Sequence, residues 1–352
     1  MKIAVIDADL IGRKHHNFPN LSCMKISGYY KKRGAEVQLK TDYDGLSDFD
    51  KVFITKVFTD TPIPKGGLFG NILDRPNVEY GGTGFYYDNS PKLPYEIEHT
   101  KPDYNLYAGI CAGKCYSDYS IGFLTRGCFR HCPFCVNRRA NKVVQHSPLA
   151  EFLDVSRPKI CLLDDNFFGY DDWKKSLTEL IETQKYFVFK QGLDVRLLDE
   201  EKAQLLFQSK YDGDYLFAFD NIKDAPLIEE KLKLIRRYTK KRVKFYVLCG
   251  YDRSGRYDSD FFRNDLLNLF QRIKILMKYD ALPFVMKHAD FKLSPYKETY
   301  VKVARWCNQL NIFWKMSFEE FVEAERASGS KYELPKVFPD NNFFKMKKGK
   351  VK

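Results

Sequence analysis

Short apolar runs separated by polar, glycine-bounded turns fill the first part of the chain. KIAVIDA (2–8) has the pattern of a buried strand. Leu21, Met24, Ile26 and the pair Tyr29 and Tyr30 predict a helix over 21–33, stopped by Gly34. AEVQLK (35–40), DFDKVFITKV (48–57) and NVEYGG (77–82) predict three further strands. Strands alternating with helices predict a small, parallel, doubly wound α/β domain. Residues 59–116 are rich in Gly, Pro, Asn and Tyr, which predicts irregular connection with several turns.

A second rhythm begins near residue 118. SDYSIGFLTR (117–126), RPKICLLDD (157–165), KYFVFKQG (185–192), GDYLFAFD (213–220), RVKFYVLCG (242–250) and ALPFVMKHA (281–289) read as six strands. Helices are predicted at 171–184, 199–208, 225–238, 259–279 and about 297–309; Trp173, Leu177, Leu180 and Ile181 mark the apolar face of the first. Eight βα units close a TIM barrel, so six predict a partial (βα)6 barrel with its chemistry at the C-terminal ends of the strands. ARWCNQLNIFWKMSFEEF (304–321) reads as an ordered amphipathic closing element. The expected divisions are an α/β domain with its connecting segment over 1–116, the partial barrel over 117–315, and a C-terminal segment over 316–352.

Composition narrows the class. A chain of 352 residues, 44% hydrophobic and 30% charged, is ordinary for a globular protein with a large core. Aromatics, at 16%, are numerous enough to line a pocket as well as fill a core. No apolar run approaches the ~20 residues that cross a bilayer. The N-terminus turns acidic too soon for a signal peptide. A cytoplasmic protein without a membrane partner is expected. The formal charge of +12 permits nucleic acid or another acidic partner. Part of it is local: residues 331–352 carry seven Lys against Glu333 and Asp340, a net of +5 that reads first as a solvated tail.

The cysteines change the picture most. Five of the nine, Cys111, Cys115, Cys128, Cys132 and Cys135, fall within 25 residues. In a cytosolic chain this points to metal or redox chemistry rather than disulfides. Cys128, Cys132 and Cys135 stand in LTRGCFRHCPFCVNRR (124–139) with C-x3-C-x2-C spacing, just after the first barrel strand. Three thiolates on one tight loop can hold three irons of a [4Fe–4S] cubane and leave the fourth open to a ligand such as S-adenosylmethionine (SAM). The alternative is zinc, with His131 as fourth ligand. Zinc sites usually use two separated ligand pairs, and His131 adjoins Cys132.

This spacing, the aromatic Phe134 before the third cysteine, and the βα series that follows resemble the radical SAM superfamily over about 118–310. The resemblance implies an enzyme that reductively cleaves SAM and abstracts hydrogen from a substrate, served by an external electron donor of flavodoxin or ferredoxin type. It implies that Phe134 lies against the adenine. It also implies that the end of the second strand meets the methionine amino group. The usual Gly-Gly-Glu of that position is replaced here by Asp164, Asp165 and Asn166. Two acids beside a sulfonium and an ammonium make electrostatic sense; their alternative role is capping the next helix.

Other strand ends supply further candidates. Gln191, Asp194 and Arg196 follow the third strand, as a structural ion pair or as contacts to a carboxylate. Asp220 and Asn221 follow the fourth as candidate ribose partners. Cys249, Gly250 and Asp252 follow the fifth, where a glycine admits close approach of the adenine. Lys287 and His288 end the sixth, and His288 reads first as a structural histidine. Cys111 and Cys115 form a second C-x3-C pair, too few alone for an auxiliary cluster. Cys161 and Cys249 read as core residues.

An α/β domain ahead of such a barrel resembles the cobalamin-dependent members of the superfamily. Their Asp-x-His-x-x-Gly motif is absent here, and His15 and His16 lack the pattern. A scaffold domain that shapes the substrate site is the expected role, with cobalamin as the alternative. The rival reading for the whole chain is a non-catalytic metal-binding module, zinc or iron–sulfur, with a nucleic-acid-binding surface.

Overall fold

The computed structural model describes residues 1–64, 71–111, 116–335 and 341–347, without the side chains of residues 111, 341 and 343. The chain forms two compact units, Met1–Asp172 with Glu179–Val188, and Trp173–Thr178 with Phe189–Lys352. The first unit therefore holds the N-terminal domain together with the start of the βα series.

The N-terminal strands are β1 (Lys2–Asp7), β2 (Glu36–Lys40), β3 (Lys51–Thr55) and β4 (Val78–Gly81). They pair in parallel in the order β2-β1-β3-β4. The apolar run of β1 serves both faces of the sheet. Ile3 and Val5 pack with Cys23, Met24, Ile26, Phe53, Ile97 and Tyr107. Ala4 and Ile6 pack with Leu46, Val52, Ile54 and Ile72 on the other face. The helix Leu21–Lys32 covers the first face; Asn20 caps it by accepting from the Ser22 and Cys23 amides, a contact worth about 1 kcal/mol. Short 3-10 turns at Leu46–Asp48 and Ile72–Asp74 contribute the residues that cover the second face.

In the same unit β5 (Tyr119–Gly122) begins the series. The expected first strand over 117–126 is broken: β5 stops at Gly122, and a separate two-residue strand β6 (Thr125–Arg126) pairs antiparallel with β7 (Val144–Gln145). Gly122 lies against the Phe152 ring, where a Cβ would come within 2.3 Å. β8 (Lys159–Leu162) pairs in parallel with β5, and β9 (Tyr186–Phe189) completes a sheet ordered β5-β8-β9.

The second unit contains β10 (Tyr215–Ala218), β11 (Val243–Cys249) and β12 (Leu282–Lys287), parallel and in that order. Leu193 bridges Phe217 in parallel at the edge of β10. Helices Ala225–Tyr238, Ser259–Lys278 and Lys297–Asn308 follow these strands as the periodicity predicts. The closing element is ordered: Trp306, Phe313, Phe318 and Phe321 are buried, and Ser317 with Glu320 forms a capping box on the helix Phe318–Ala327. No described helix is long and apolar enough to cross a membrane.

Candidate functional site

The β6–β7 pair draws together the two ends of the loop 127–143, which carries the three cysteines. Gly127 opens it with φ 100°, and a Cβ there would lie 2.3 Å from the Lys142 carbonyl oxygen. Only glycine allows the two ends to meet this closely.

Two carboxylates at the end of β8 build the loop's base. Asp164 is buried and accepts from the Thr125 amide and hydroxyl, each at 2.7 Å, and from the Leu124 amide at 3.2 Å. Burial pushes its pKa up to about 7, against those three donors. Asp165 accepts from the Gly127 amide at 2.8 Å and from Asn137 Nδ2 at 2.6 Å, with Arg126 Nε 3.7 Å away. It thus ties the loop's first residue to one that follows the third cysteine. Neither acid caps a helix, because the next helix starts only at Trp173 and the 3-10 turn between has no side-chain cap. That alternative is corrected: both carboxylates are bonded to the cysteine loop or to the strand that leads into it.

Cys128, Cys132 and Cys135 are half-buried thiols. The Cys135 amide donates to the Cys132 carbonyl at 2.9 Å, which closes a turn. Two donors reach sulfur: the Asn137 amide to Cys135 Sγ and Asn166 Nδ2 to Cys128 Sγ, each at 3.4 Å. Asn166 is 2% exposed, and its Oδ1 is buried without a hydrogen-bond partner. Such an orphaned acceptor needs an explanation. Sequence reasoning named Asn166 only as part of a motif; its position after two acids at a strand end was the available signal.

His131, at φ 49°, places Nδ1 2.9 Å from the Arg138 carbonyl, so its ring is engaged within its own loop. Among the described residues no three His, Cys, Asp or Glu side chains converge on a single ion position. One zinc ion gathers its ligands at about 2.0–2.3 Å, whereas a cubane takes each thiolate at a separate corner. Three thiols on one loop, two of them receiving N–H donors, fit the cluster. The Phe134 ring is half-buried, and its carbonyl accepts from the Tyr87 hydroxyl at 2.7 Å. The side chains of Cys111 and Cys115 lie outside the described residues.

The remaining candidates belong to the second unit. Gln191 is exposed. Arg196 grips Asp194 in bidentate fashion, Nε to Oδ1 at 2.7 Å and Nη2 to Oδ2 at 3.2 Å, and reaches Asp224 at 3.5 Å. Asp220 accepts from the Leu248 amide at 2.9 Å, and burial raises its pKa. Gly250 holds φ 75°, donates to Asp265 at 2.7 Å and lies where a Cβ would meet Phe291 at 2.8 Å, which is a structural reason for glycine. Sequence reasoning missed Arg272. It is buried and donates to the Phe219, Asp220 and Leu248 carbonyls, bracing the ends of β10 and β11. His288 caps the 3-10 turn Ala289–Leu293, in keeping with a structural role. Cys161 and Cys249 are core residues, 0% and 1% exposed.

At the carboxyl edge of the β1–β4 sheet, Asp7, Asp9 and Lys56 bond within the domain, whereas the buried Tyr43 hydroxyl has no hydrogen-bond partner. Asp7 accepts from the Tyr107 hydroxyl at 2.9 Å and caps the short helix Ala8–Gly12. Asp9 accepts from the Val57 amide at 2.6 Å and from the Thr61 hydroxyl. Lys56 is buried, donates to the Thr61 carbonyl at 3.3 Å and lies over the Phe85 ring. Cβ atoms on Gly82 and Gly84 would collide with Lys56, so these glycines serve its packing. His16 stands edge-on to Phe58. Among the described residues, Asp7, Asp9, Lys56 and their partners form a packed edge.

No family model and no curated protein matches the chain. Solved structures do. The radical SAM methyltransferase TsrM from Kitasatospora setae, solved with cobalamin and a [4Fe–4S] cluster, aligns at TM-score 0.54 and 13% identity over 81% of this chain and 72% of its own. The same enzyme with tryptophan substrate and the SAM analogue aza-SAM aligns over the same shares at 0.54 and 12% identity. The cobalamin-dependent SAM radical enzyme OxsB, with aqua-cobalamin and SAM bound, aligns at 0.50 and 14% identity over 97% of this chain and 63% of its own. At these identities the likeness defines the fold. The chain has the α/β fold of cobalamin-dependent radical SAM enzymes, a parallel N-terminal sheet followed by a βα series.

Proposed function

We propose that the protein is a radical SAM enzyme. The observation that carries this reading is the C-x3-C-x2-C loop itself, with half-buried thiols and N–H donors at two of the sulfurs. Cys128, Cys132 and Cys135 would hold a [4Fe–4S] cluster. When bound, the cluster and SAM supply a 5′-deoxyadenosyl radical that abstracts hydrogen from the substrate.

The chain's own groups prepare that site. The Asn137 amide and the Asn166 side chain stabilise thiolate charge on Cys135 and Cys128. Asp164 and Asp165 hold the loop to the end of β8. The unpaired Asn166 Oδ1 would accept an N–H from the amino group of SAM, with Asp165 adding negative charge. Phe134 offers an apolar wall for the adenine. Gln191, Asp194, Arg196, Asp220 and Gly250 are the further candidates for SAM contact that the resemblance to the superfamily suggests. An external flavodoxin or ferredoxin delivers the electron.

The N-terminal domain serves as a scaffold. TsrM and OxsB are solved with cobalamin, but the packed edge around Lys56 favours the scaffold role here. The substrate is not identified: the +12 charge favours an acidic molecule or nucleic acid, a modified peptide or small metabolite is the alternative, and the proposed site of action is the cytoplasm.

The test is anaerobic reconstitution with iron and sulfide, reduction, and addition of SAM. 5′-Deoxyadenosine is the expected product. A fully loaded cluster that yields none defeats the reading in favour of a non-catalytic metal module. A corrinoid spectrum that survives purification after incubation with cobalamin defeats the scaffold assignment.

A further inference from the structure

Two residues separate Cys132 from Cys135, and both of their carbonyls are held from outside that turn. The Phe134 carbonyl accepts from the Tyr87 hydroxyl at 2.7 Å. The Pro133 carbonyl accepts from Arg138 Nη1 at 2.9 Å. Arg138 is fixed in turn by Asp88, Nε to Oδ2 at 2.5 Å, and Arg139 reaches the same carboxylate at 3.0 and 3.3 Å. Both restraints lead to one short turn of the N-terminal domain, Tyr87–Asn89.

That turn is built for the purpose. Tyr87 holds φ 52° and ψ −113°, a conformation an L-residue keeps only when its surroundings dictate it. The Arg138 guanidinium lies over the Tyr87 ring, 5.6 Å from its centre, so hydroxyl and ring face act on the same loop. The Asp88 side chain is only 8% exposed although it carries charge, and two arginines of the cysteine loop neutralise it.

We propose that Tyr87 and Asp88 are positioning residues that preset the spacing and direction of Cys132 and Cys135, so that the N-terminal domain acts as a clamp on the cluster loop. This rests on the reading of the three cysteines as cluster ligands. The domain then contributes to the chemistry through the cysteine loop. Outer groups of this kind orient metal ligands, and their loss typically weakens metal binding about 10–100-fold.

The test uses full-length Tyr87→Phe, Asp88→Asn and Asp88→Glu proteins, reconstituted without oxygen. Cluster loss to an iron chelator is followed by absorbance, and the reduced cluster by electron paramagnetic resonance. Asp88→Asn should lose its cluster about 10–100-fold faster and show an altered resonance, with Tyr87→Phe intermediate and Asp88→Glu partly restored. Thermal unfolding of the metal-free proteins should stay unchanged, which separates clamping from general stability. Clusters as durable as wild type in both Tyr87→Phe and Asp88→Asn overturn the proposal. Should Asp88→Asn fail to fold, Tyr87→Phe decides, since it removes one hydroxyl. A wild-type protein that takes up no cluster defeats the radical SAM reading instead. Amide hydrogen exchange over 132–135 in metal-free protein then judges the clamp, and equal protection in variant and wild type overturns it.

Discussion

The first unit contains two carboxyl edges of parallel strands, and they are furnished alike but used differently. After β1 and β3, Asp7, Asp9 and Lys56 are buried and bond to backbone and hydroxyl groups of their own domain. After β5 and β8, Asp164 and Asp165 are likewise bonded to the chain, but the loop they hold carries three thiols, two of which receive N–H donors. Three thiols remain half-buried, and Asn166 keeps an unpaired carbonyl oxygen. Ligands of parallel sheets gather at carboxyl ends. Each edge keeps one buried polar atom without a partner, Tyr43 Oη at the first and Asn166 Oδ1 at the second, so the contrast teaches that gathered ligating side chains, and not an unsatisfied group alone, mark such an edge as a candidate site.

The sharpest way to break this comparison is to remove the thiols. Combined Cys128→Ala, Cys132→Ala and Cys135→Ala should abolish iron uptake and 5′-deoxyadenosine while the N-terminal sheet stays folded by circular dichroism. Retained iron and turnover would move the site elsewhere. Gly127→Ala comes next: strain at φ 100° and a 2.3 Å approach to the Lys142 carbonyl should cost about 3–5 kcal/mol in chemical denaturation.

Glu98 tests how far the closed side supports the open one. Burial works against its charge, but His146 at 3.3 Å and Lys25 at 2.9 Å outweigh it and hold its pKa down at about 2. A depressed acid stabilises the fold above its unfolded pKa of about 4.3. That contribution, on the order of 3 kcal/mol, should therefore disappear as pH falls from about 4.3 to about 2. Glu98→Gln should flatten the stability–pH curve in that window, and an unchanged slope would refute the pairing.

The smallest effects separate the two edges. Asp9→Ala should cost about 1–3 kcal/mol by stranding the Val57 amide and the Thr61 hydroxyl, with iron content unaltered. Asn166→Leu should cost less than about 1 kcal/mol, because one of its polar atoms is already unsatisfied. It should still lower the cluster's reduction potential by removing an N–H from Cys128 Sγ. An Asn166→Leu cluster with wild-type potential would put that amide outside the cluster's influence.

Much of the fold was legible in advance. The periodicity located all four N-terminal strands and the six of the βα series within a few residues, because burial of alternate or continuous positions is a local property. The break between Gly122 and Thr125 was not legible. The run SIGFLTR is apolar enough for one strand, and only Phe152 packing on Gly122 and the return of β7 divide it. Asp164 and Asp165 were found, but the helix-capping alternative offered for them was wrong: their donors lie 28 to 40 positions earlier, where local pattern has no reach.

By itself the sequence determined the strand and helix rhythm, the C-x3-C-x2-C spacing and the absence of the usual histidine motif, since each depends on residues near one another in the chain. The tertiary structure alone decided that Asn166 meets Cys128 across 38 positions, and that Asp88 grips Arg138 across 50. It also decided that Lys56 fills the edge of the first sheet. Hydrogen-bond capacity at a strand end is a balance over every partner the fold brings near, and no local pattern contains that sum.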